Sequence, residues 1–496
     1  MTLREQHMSK DGPTYSHSKT PLPRAIDLVA GLDSGELSAV SLIQSTYDRI
    51  AQENPRINAI CTLVPPEQSL EAAKRVDDAR NQGQKLPNLA GLPLAVKDLA
   101  DTQGILTTQG SPIHAQQIPD VDSLFVTRLK AAGGIVIGKT NTPEFGAGSH
   151  TFNPLFGVTR NPYDTLKTAG GSSGGAAAAL ASGMVALADG SDMGGSLRNP
   201  AAFCNVVGLR PSMGRVPTIP KAKETFSRMA VEGPMARTVE DCAMMLRAMA
   251  GRDSRDPRSL DLASLSAAPT LIDTPENLRL GWAPHPAGLP IEPAVSSVLS
   301  GAVADMQHLY PAIEEIDLAE LRGAMGVFTV LRAAAFAEGL GDLYQSDSDK
   351  MKATVIDNIR LGLALTGDML TQAETQRTHL YHALMALFDR YDYLLLPVTQ
   401  VMPFPVEVEF PGLINKEAMK SYIDWMSSCC ILSPFDVPCL SIPAGFDSDG
   451  LPVGLQIVGK PGDDWGLLRL AYAFQQHTDH WRKAPPTAAE VPHETP

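Results

Sequence analysis

Helix followed by strand recurs along the first half of the chain, and this alternation restricts the fold more than any other feature of the sequence. "DSLFVTRLKAAGG" carries apolar residues at helical spacing and runs into the β-branched "IVIGKT". "AAAALASG" passes at once into the apolar "MVALADG". Such alternation argues for an α/β fold with a largely parallel sheet. Upstream, "RAIDLVAGLDSGELSAVSLIQSTYDRIAQEN" reads as two helices broken near Asp33–Gly35, and "EQSLEAAKRVDDARNQG" as a third. "LAGLPLAVKDLAD" is short, apolar and bounded by glycine, as a buried strand is.

From about Ala268 to Tyr391 the character changes. Long helical patterns such as "AVSSVLSGAVADMQHLY" and "AETQRTHLYHALMALFDRY" dominate there. "YDYLLLPVTQ" and "PCLSIPAGF" restore strands, and "DDWGLLRLAYAFQQH" reads as a closing helix. No internal repeat separates modules, so the pattern is that of one domain with a helical excursion. Residues 1–23 are expected to be a flexible tail.

Charge and cysteine usage narrow the function classes. With 41 Lys+Arg against 55 Asp+Glu, the net charge of −14 disfavours nucleic acid or an anionic membrane as the main partner. The six cysteines include no C-x-x-C pair, which disfavours a zinc or iron–sulfur site. The polar start has no apolar h-region, and no uninterrupted apolar run approaches the roughly 18–20 residues of a membrane span. The expectation is a soluble cytoplasmic protein.

Three motifs compete for the chemistry. "GGIVIGKT", Gly133 to Thr140, fits the P-loop pattern G-x-x-x-x-G-K-[ST]. A P-loop follows a strand and opens a helix; here a helical segment precedes it and Ile135–Ile137 prefer a strand, which leaves Lys139 as a strand-end charge. "TAGGSSGGAAAALASG" suggests either an anion cradle at a helix start or the nucleophile elbow G-x-S-x-G. The elbow needs a buried strand before its serine, and "RNPYDTLKTA" is polar and turn-rich; none of the later histidines sits in a glycine-bounded loop. The third motif is "ADGSDMGGSLRNP", where Gly194 and Gly195 directly precede Ser196. Two residues without side chains leave their N–H groups open, as an oxyanion hole requires.

A serine nucleophile needs a base, and lysine can serve where no histidine is placed. Lys97 stands in the apolar "GLPLAVKDLA". Burial there favours the neutral amine, which accepts a proton. A salt bridge to Asp98, or a lysine reaching out to water from a strand end, explains the same position.

Lys97 in its apolar strand, "GGSSGG" and "DMGGSLRNPAAFCNVVGLRPSMGRVP" together resemble the amidase signature family of amide hydrolases. Ser172 and Ser196 lie 24 positions apart, the spacing of that family's two signature serines. A weaker likeness extends over about residues 24–483 and includes "GKTNTPEF", a family landmark that removes the P-loop reading. The resemblance implies a single large domain, about 24–490, with a mixed, largely parallel central β-sheet covered by helices on both faces. Its core would span about 90–250, and a helical excursion at about 268–424 would shape a substrate funnel. It implies Ser196 as nucleophile, Lys97 as ultimate base, and Ser172, on a non-proline cis peptide, as the proton relay. Ser173 would orient the relay. The N–H groups of Met193, Gly194, Gly195 and Ser196 would form the oxyanion hole, flanked by an Asp192–Arg198 ion pair.

The implied substrate is a small, moderately apolar amide or aryl amide, with carbamate or ester cleavage as the alternative and no metal or organic cofactor. The chain would act as a monomer or homodimer, without nucleic acid or membrane. Phe328, Phe336, Tyr344 and Trp425 are candidates for the pocket wall. Met193 stands where the family usually has a small residue, and Asn205 where it usually has glycine. "SPFDVPCLSIP" replaces a common asparagine- and glycine-bearing approach. These departures, and the acidic balance, place the glutaminase component of a tRNA-dependent amidotransferase behind a free-standing hydrolase.

Overall fold

Short runs of valine, isoleucine and leucine between glycines build the strands of one sheet, and the helices between them decide which strands run parallel. The computed structural model describes residues 22–220, 229–262, 271–272 and 276–487. Residues 1–21 of the expected tail, 268–270 and 273–275 of the excursion, and 488–490 at the end of the expected domain lie outside them.

The strands are β1 (Ile60–Leu63), β2 (Pro93–Lys97), β3 (Ile135–Thr140), β4 (Leu187–Asp192), β5 (Val207–Arg210) and β6 (Val231–Ala236). They continue with β7 (Leu280–Trp282), β8 (Ile313–Glu315), β9 (Tyr393–Pro397), β10 (Cys439–Phe446) and β11 (Pro452–Val458). Among the described residues these eleven form one mixed sheet in the order β1-β3-β2-β4-β6-β5-β10-β11-β9-β7-β8. Parallel pairing falls in two blocks, β3-β2-β4 and β9-β7-β8. In the first block the crossovers run through the helices Leu124–Ala131 and Gly174–Ala181, as parallel neighbours require. Between the blocks, and at β1, the pairing is antiparallel.

The segments "GGIVIGKT" and "LAGLPLAVKDLAD" thus form adjacent parallel strands, not a phosphate loop. Lys139 is more than a strand-end charge: it is fully buried, and its Nζ donates to Ala100 O at 2.5 Å, Thr102 Oγ1 at 2.8 Å and Thr107 Oγ1 at 3.1 Å. Burial lowers its pKa to about 8, against the nearby carboxylates of Asp98, Asp189 and Asp101.

The alanine-rich helix Gly174–Ala181 is buried along its whole length. Small side chains let it lie directly on the sheet. A Cβ at Gly175 would stand 2.4 Å from Asn141 N, 2.6 Å from Asn141 O and 2.7 Å from Ala59 O, all main-chain atoms that cannot swing aside. The helical excursion contains Pro293–Leu309, Ala324–Asp347, Ala353–Leu363 and Gly367–Arg390. The helical stretch Ala319–Lys350 is long and apolar enough to cross a membrane by length and composition alone. It buries Phe328, Arg332 and Phe336 inside this fold.

Gly175→Ala is expected to lower the unfolding free energy by at least about 1–3 kcal/mol, the usual result of overpacking. Thermal denaturation reads this directly, and an unchanged Tm would show that the helix can lift off the sheet freely.

Candidate active site

Lys97 is the last residue of β2, at the carboxyl end of the parallel block where α/β sheets commonly open toward a ligand. Its main-chain N–H donates to Asp189 Oδ1 on β4 at 2.9 Å. Its side chain is buried, and Nζ reaches three hydroxyls: Ser172 Oγ at 2.8 Å, Ser173 Oγ at 2.9 Å and Ser191 Oγ at 3.0 Å. The alternative salt bridge to Asp98 is not formed, because that carboxylate accepts instead from the Thr108 hydroxyl at 2.5 Å. Burial pulls the Lys97 ammonium pKa well down, against the opposing pull of Glu232, Asp189 and Asp192. Burial raises the Asp189 carboxyl to about 6, against the Lys97 N–H and the charges of Lys139 and Lys97.

The glycines around Ser172 are explained by close neighbours. The Gly171–Ser172 peptide is cis. Asn199 clamps Gly171 from both sides, accepting from its N–H at 2.9 Å and donating to its carbonyl at 2.5 Å. The Thr151 hydroxyl donates to Gly170 O at 2.8 Å and accepts from the Gly174 N–H at 3.1 Å. A Cβ at Gly174 would meet Thr151 Oγ1 at 2.4 Å; at Gly170, where φ is +76°, it would meet Asn199 Oδ1 at 2.6 Å. The loop admits glycine because the clamps sit where side chains would be.

The loop carrying Ser196 is folded around a carboxylate. Asp192 accepts from Arg198 through two bonds of 2.9 Å each, from the Gly195 N–H at 2.7 Å and from the Leu197 N–H at 3.2 Å, all of them buried. Arg210 adds a second guanidinium, 3.4 Å from Asp192 Oδ1, and donates to the Asp192 carbonyl. Burial would raise the Asp192 carboxyl, but Arg198 and Arg210 outweigh it and hold the group well below the usual carboxylate range. Ser173 N–H donates to Ser196 O at 3.2 Å and so ties the two serine loops together.

The four N–H groups expected at the oxyanion hole differ in their partners. The Gly195 N–H donates to Asp192 Oδ1 at 2.7 Å inside the protein. The N–H groups of Met193, Gly194 and Ser196 donate to no acceptor among the described residues. Gly195 has φ +120°, and a Cβ there would lie 2.6 Å from Cys429 Cβ; its glycine serves the turn and the packing.

Among the described residues, no histidine joins this hydroxyl cluster. The ring of His150 bridges the Thr168 hydroxyl at 2.7 Å and Val406 O at 3.0 Å. Burial lowers it to about 4, so the ring is neutral near pH 7.

Sequence reasoning missed Ser191, Asp189, Arg210 and Glu232. Asp189 and Ser191 share one face of β4 by the two-residue period of a strand, and both turn to Lys97; that alternation was the available signal. Glu232 pairs across the sheet with Ser191, a register visible only in the fold. Of the suggested wall residues, Phe328 presses on the nucleophile loop, 2.8 Å from a Cβ built on Gly194. Phe336 lies in an apolar cluster with Ala147 and Met193. Trp425 is fully buried, stacks on Phe203 and donates to Ser149 Oγ at 2.8 Å. Tyr344 stands further out, its hydroxyl accepting from Arg360 at 3.0 Å. Asn205 takes φ +55°, which explains how it can stand in for glycine.

Asp192→Asn would leave two buried guanidiniums without their counter-charge. It is expected to destabilise the fold by about 3–5 kcal/mol in a denaturant titration. A midpoint equal to that of the wild type would mean that Arg198 and Arg210 are held by their neutral partners alone.

The family profile described as Amidase matches residues 41–468. A glutamyl-tRNA(Gln) amidotransferase subunit from Moorella thermoacetica is 34% identical over 479 residues, covering 92% of this chain and 96% of that one. Its namesake from Geobacillus kaustophilus is 35% identical over 478 residues, covering 92% and 97%. Among solved structures, a bacterial aryl acylamidase of the amidase signature enzymes superposes with a TM-score of 0.85 at 28% identity, covering 93% of this chain and 97% of that one.

Proposed function

This chain belongs to the amidase signature family, and from that membership we propose that it is a free-standing amide hydrolase with Ser196 as nucleophile, Ser172 as relay and Lys97 as base. The observation that carries the reading is the convergence of three serine hydroxyls on one buried lysine amine. A lysine whose ammonium form is disfavoured by burial accepts a proton, whereas an exposed one near pH 7 does not.

In the proposed mechanism neutral Lys97 takes the proton of Ser172 as Ser172 takes that of Ser196. The Ser196 oxygen attacks the amide carbonyl, and the N–H groups of Met193, Gly194 and Ser196 receive the oxyanion. Each such donor is worth about 3–4 kcal/mol in comparable sites. Ser173 and Ser191 hold the Lys97 amine in line. The proton returns through Ser172 to the leaving nitrogen, and water then releases the acyl group. Arg198 and Asp192 act through the shape of the loop and do not touch the reacting atoms. The chemistry calls on no metal or organic cofactor.

For the substrate we propose a small, moderately apolar amide or aryl amide, with carbamate or ester cleavage as a side activity. The apolar residues at the loop, Phe328, Phe336 and Met193, support an apolar acyl group. So does the overlap with the aryl acylamidase. Because two relatives at 34% and 35% identity are amidotransferase subunits, glutamine hydrolysis within a larger complex is the second reading. A panel of anilides, aliphatic amides, carbamates and glutamine separates the two. Turnover of anilides by the purified chain alone supports the first; activity restricted to glutamine and to co-purifying partner chains supports the second.

Ser196→Ala is expected to reduce kcat/KM by at least about three orders of magnitude and to abolish labelling by a fluorophosphonate. Retained hydrolysis would falsify the nucleophile assignment. The kcat/KM profile should also fall on the acid side of a single titration, since protonated Lys97 is no base. That titration is expected below the ordinary lysine value of 10.5, in the direction burial moves it. An acid limb that survives in Lys97→Met would assign the titration elsewhere.

A further inference from the structure

Among the described residues, Arg332 is a buried cation with no carboxylate partner. The other arginines buried around the nucleophile loop answer carboxylates: Arg198 and Arg210 meet Asp192, and Arg215 meets Asp464. Arg237 lies elsewhere and donates to the main-chain carbonyls of Leu180, Val185 and Pro23. Arg332 is 5% exposed, and its partners are neutral: one Nη donates to Asn358 Oδ1 and the other to the Tyr422 hydroxyl. The guanidinium lies over the Phe336 ring at 4.7 Å and near the Tyr422 ring at 5.3 Å. Lys352, which follows Met351 of the apolar cluster around Phe336, is paired with Glu409. A guanidinium carries five N–H donors, so two bonds to neutral groups leave three that are given to no acceptor among the described residues, and no carboxylate there answers the charge.

Its neighbours connect it to both serine loops. Phe328 lies one helical turn before Arg332 on the same helix face, and it presses on Gly194. Phe336, one turn after Arg332, shares an apolar cluster with Met193 and Phe145. Beside Phe145, a Cβ on Gly146 would lie 3.5 Å from Ser172 Oγ. Phe328 therefore reaches the nucleophile loop, and Phe336 belongs to the cluster that holds Met193 and Phe145, with Arg332 between the two rings on the helix.

We propose that Arg332 is a specificity residue that receives a carboxylate carried by the substrate, at the far end of an apolar acyl chain whose amide carbonyl sits at Ser196. This rests on the assignment of Ser196 as nucleophile. Burying a carboxylate is expensive unless a charged, hydrogen-bonded partner awaits it, and a buried guanidinium with spare donors supplies one through paired N–H···O bonds. The apolar stem explains the aromatic walls, and the cation explains why one charged group is kept among them.

The test uses matched para-nitroanilides: the mono-anilides of succinic, glutaric and adipic acid, each against the alkyl-capped anilide of equal chain length. Wild-type kcat/KM is expected to favour one of the acids over its alkyl partner by about 10-fold to 100-fold, as charged hydrogen bonds do. In Arg332→Gln that ratio should collapse, with the change carried by KM; in Arg332→Lys part of it should remain. A wild type that prefers every alkyl-capped partner, or a ratio unchanged in Arg332→Gln, overturns the proposal. If Arg332→Gln does not fold, wild-type inhibition decides: glutarate stronger than pentanoate supports the site, and equal or weaker inhibition overturns it. Release of para-nitroaniline by Ser196→Ala would instead overturn the nucleophile assignment, a separate outcome.

Discussion

The Asp192 carboxylate is the constraint around which the candidate site is built. It sits at the end of β4 with no exposure to solvent, and two guanidiniums and two main-chain amides converge on it. Those bonds turn the chain sharply between β4 and the helix Arg198–Phe203, leaving Ser196 on the bend. The guanidiniums then reach outward. Arg198 donates to Gln456 on β11 at 2.6 Å and to Cys429 O at 3.1 Å, and Arg210 to Met229 O at 2.9 Å and Ser433 O at 3.0 Å. A loop that would otherwise be a flexible glycine turn is thereby locked to three strands and to the segment behind it. Removing one member of such a network strands the charges of the others, which is why one carboxylate fixes so much backbone.

The two buried lysines show how surroundings divide structure from chemistry. Lys97 and Lys139 stand at the ends of adjacent parallel strands, and burial lowers both pKa values. Lys139 is surrounded by a carbonyl and two threonine hydroxyls of one loop, so it closes that loop over the sheet. Lys97 faces serines from β4 and from the Ser172–Ser173 loop, and that loop is hydrogen-bonded to the nucleophile loop. The same side chain at the same depth becomes a clamp in one place and a proposed proton acceptor in the other. The difference lies in what its neighbours can give up: a threonine inside a closed loop meets no substrate, whereas Ser172 lies beside the loop that carries Ser196.

Much of the fold was legible from periodicity. The helices Ala25–Ser34, Ala39–Ile57 and Pro66–Asn81 lie where helical spacing puts them, and Gly35 takes φ +77° at the expected break. The strands β2, β3, β4, β9 and β10 form where apolar runs predict them. The strands β5 and β6 escaped notice because "VGLR" and "VEGPMA" are interrupted by glycine and proline, residues that argue against a central strand. Gly233 is there for proximity, since a Cβ would lie 2.2 Å from Leu209 O. These two strands supply much of the antiparallel middle of the sheet, a feature no local pattern announced. Arg332 escaped for a related reason: on a helix of mixed composition an arginine reads as exposed until the neighbouring helix covers it.

The sequence by itself determined which residues could do chemistry: serines flanked by glycines at a fixed separation, and a lysine inside an apolar strand. Those are covalent and local facts, since glycine permits close approach and an apolar run forces burial. Only the tertiary structure decided how they are used. It brought Lys97 to Ser172, Ser173 and Ser191 across intervals of 75 to 94 residues. It turned the Gly195 N–H toward Asp192, and it left Arg332 among aromatic rings with no carboxylate partner among the described residues. Direction, partner and burial belong to long-range packing, because a hydrogen bond or an uncompensated charge is set by what lies within a few ångströms in space, whatever its distance along the chain.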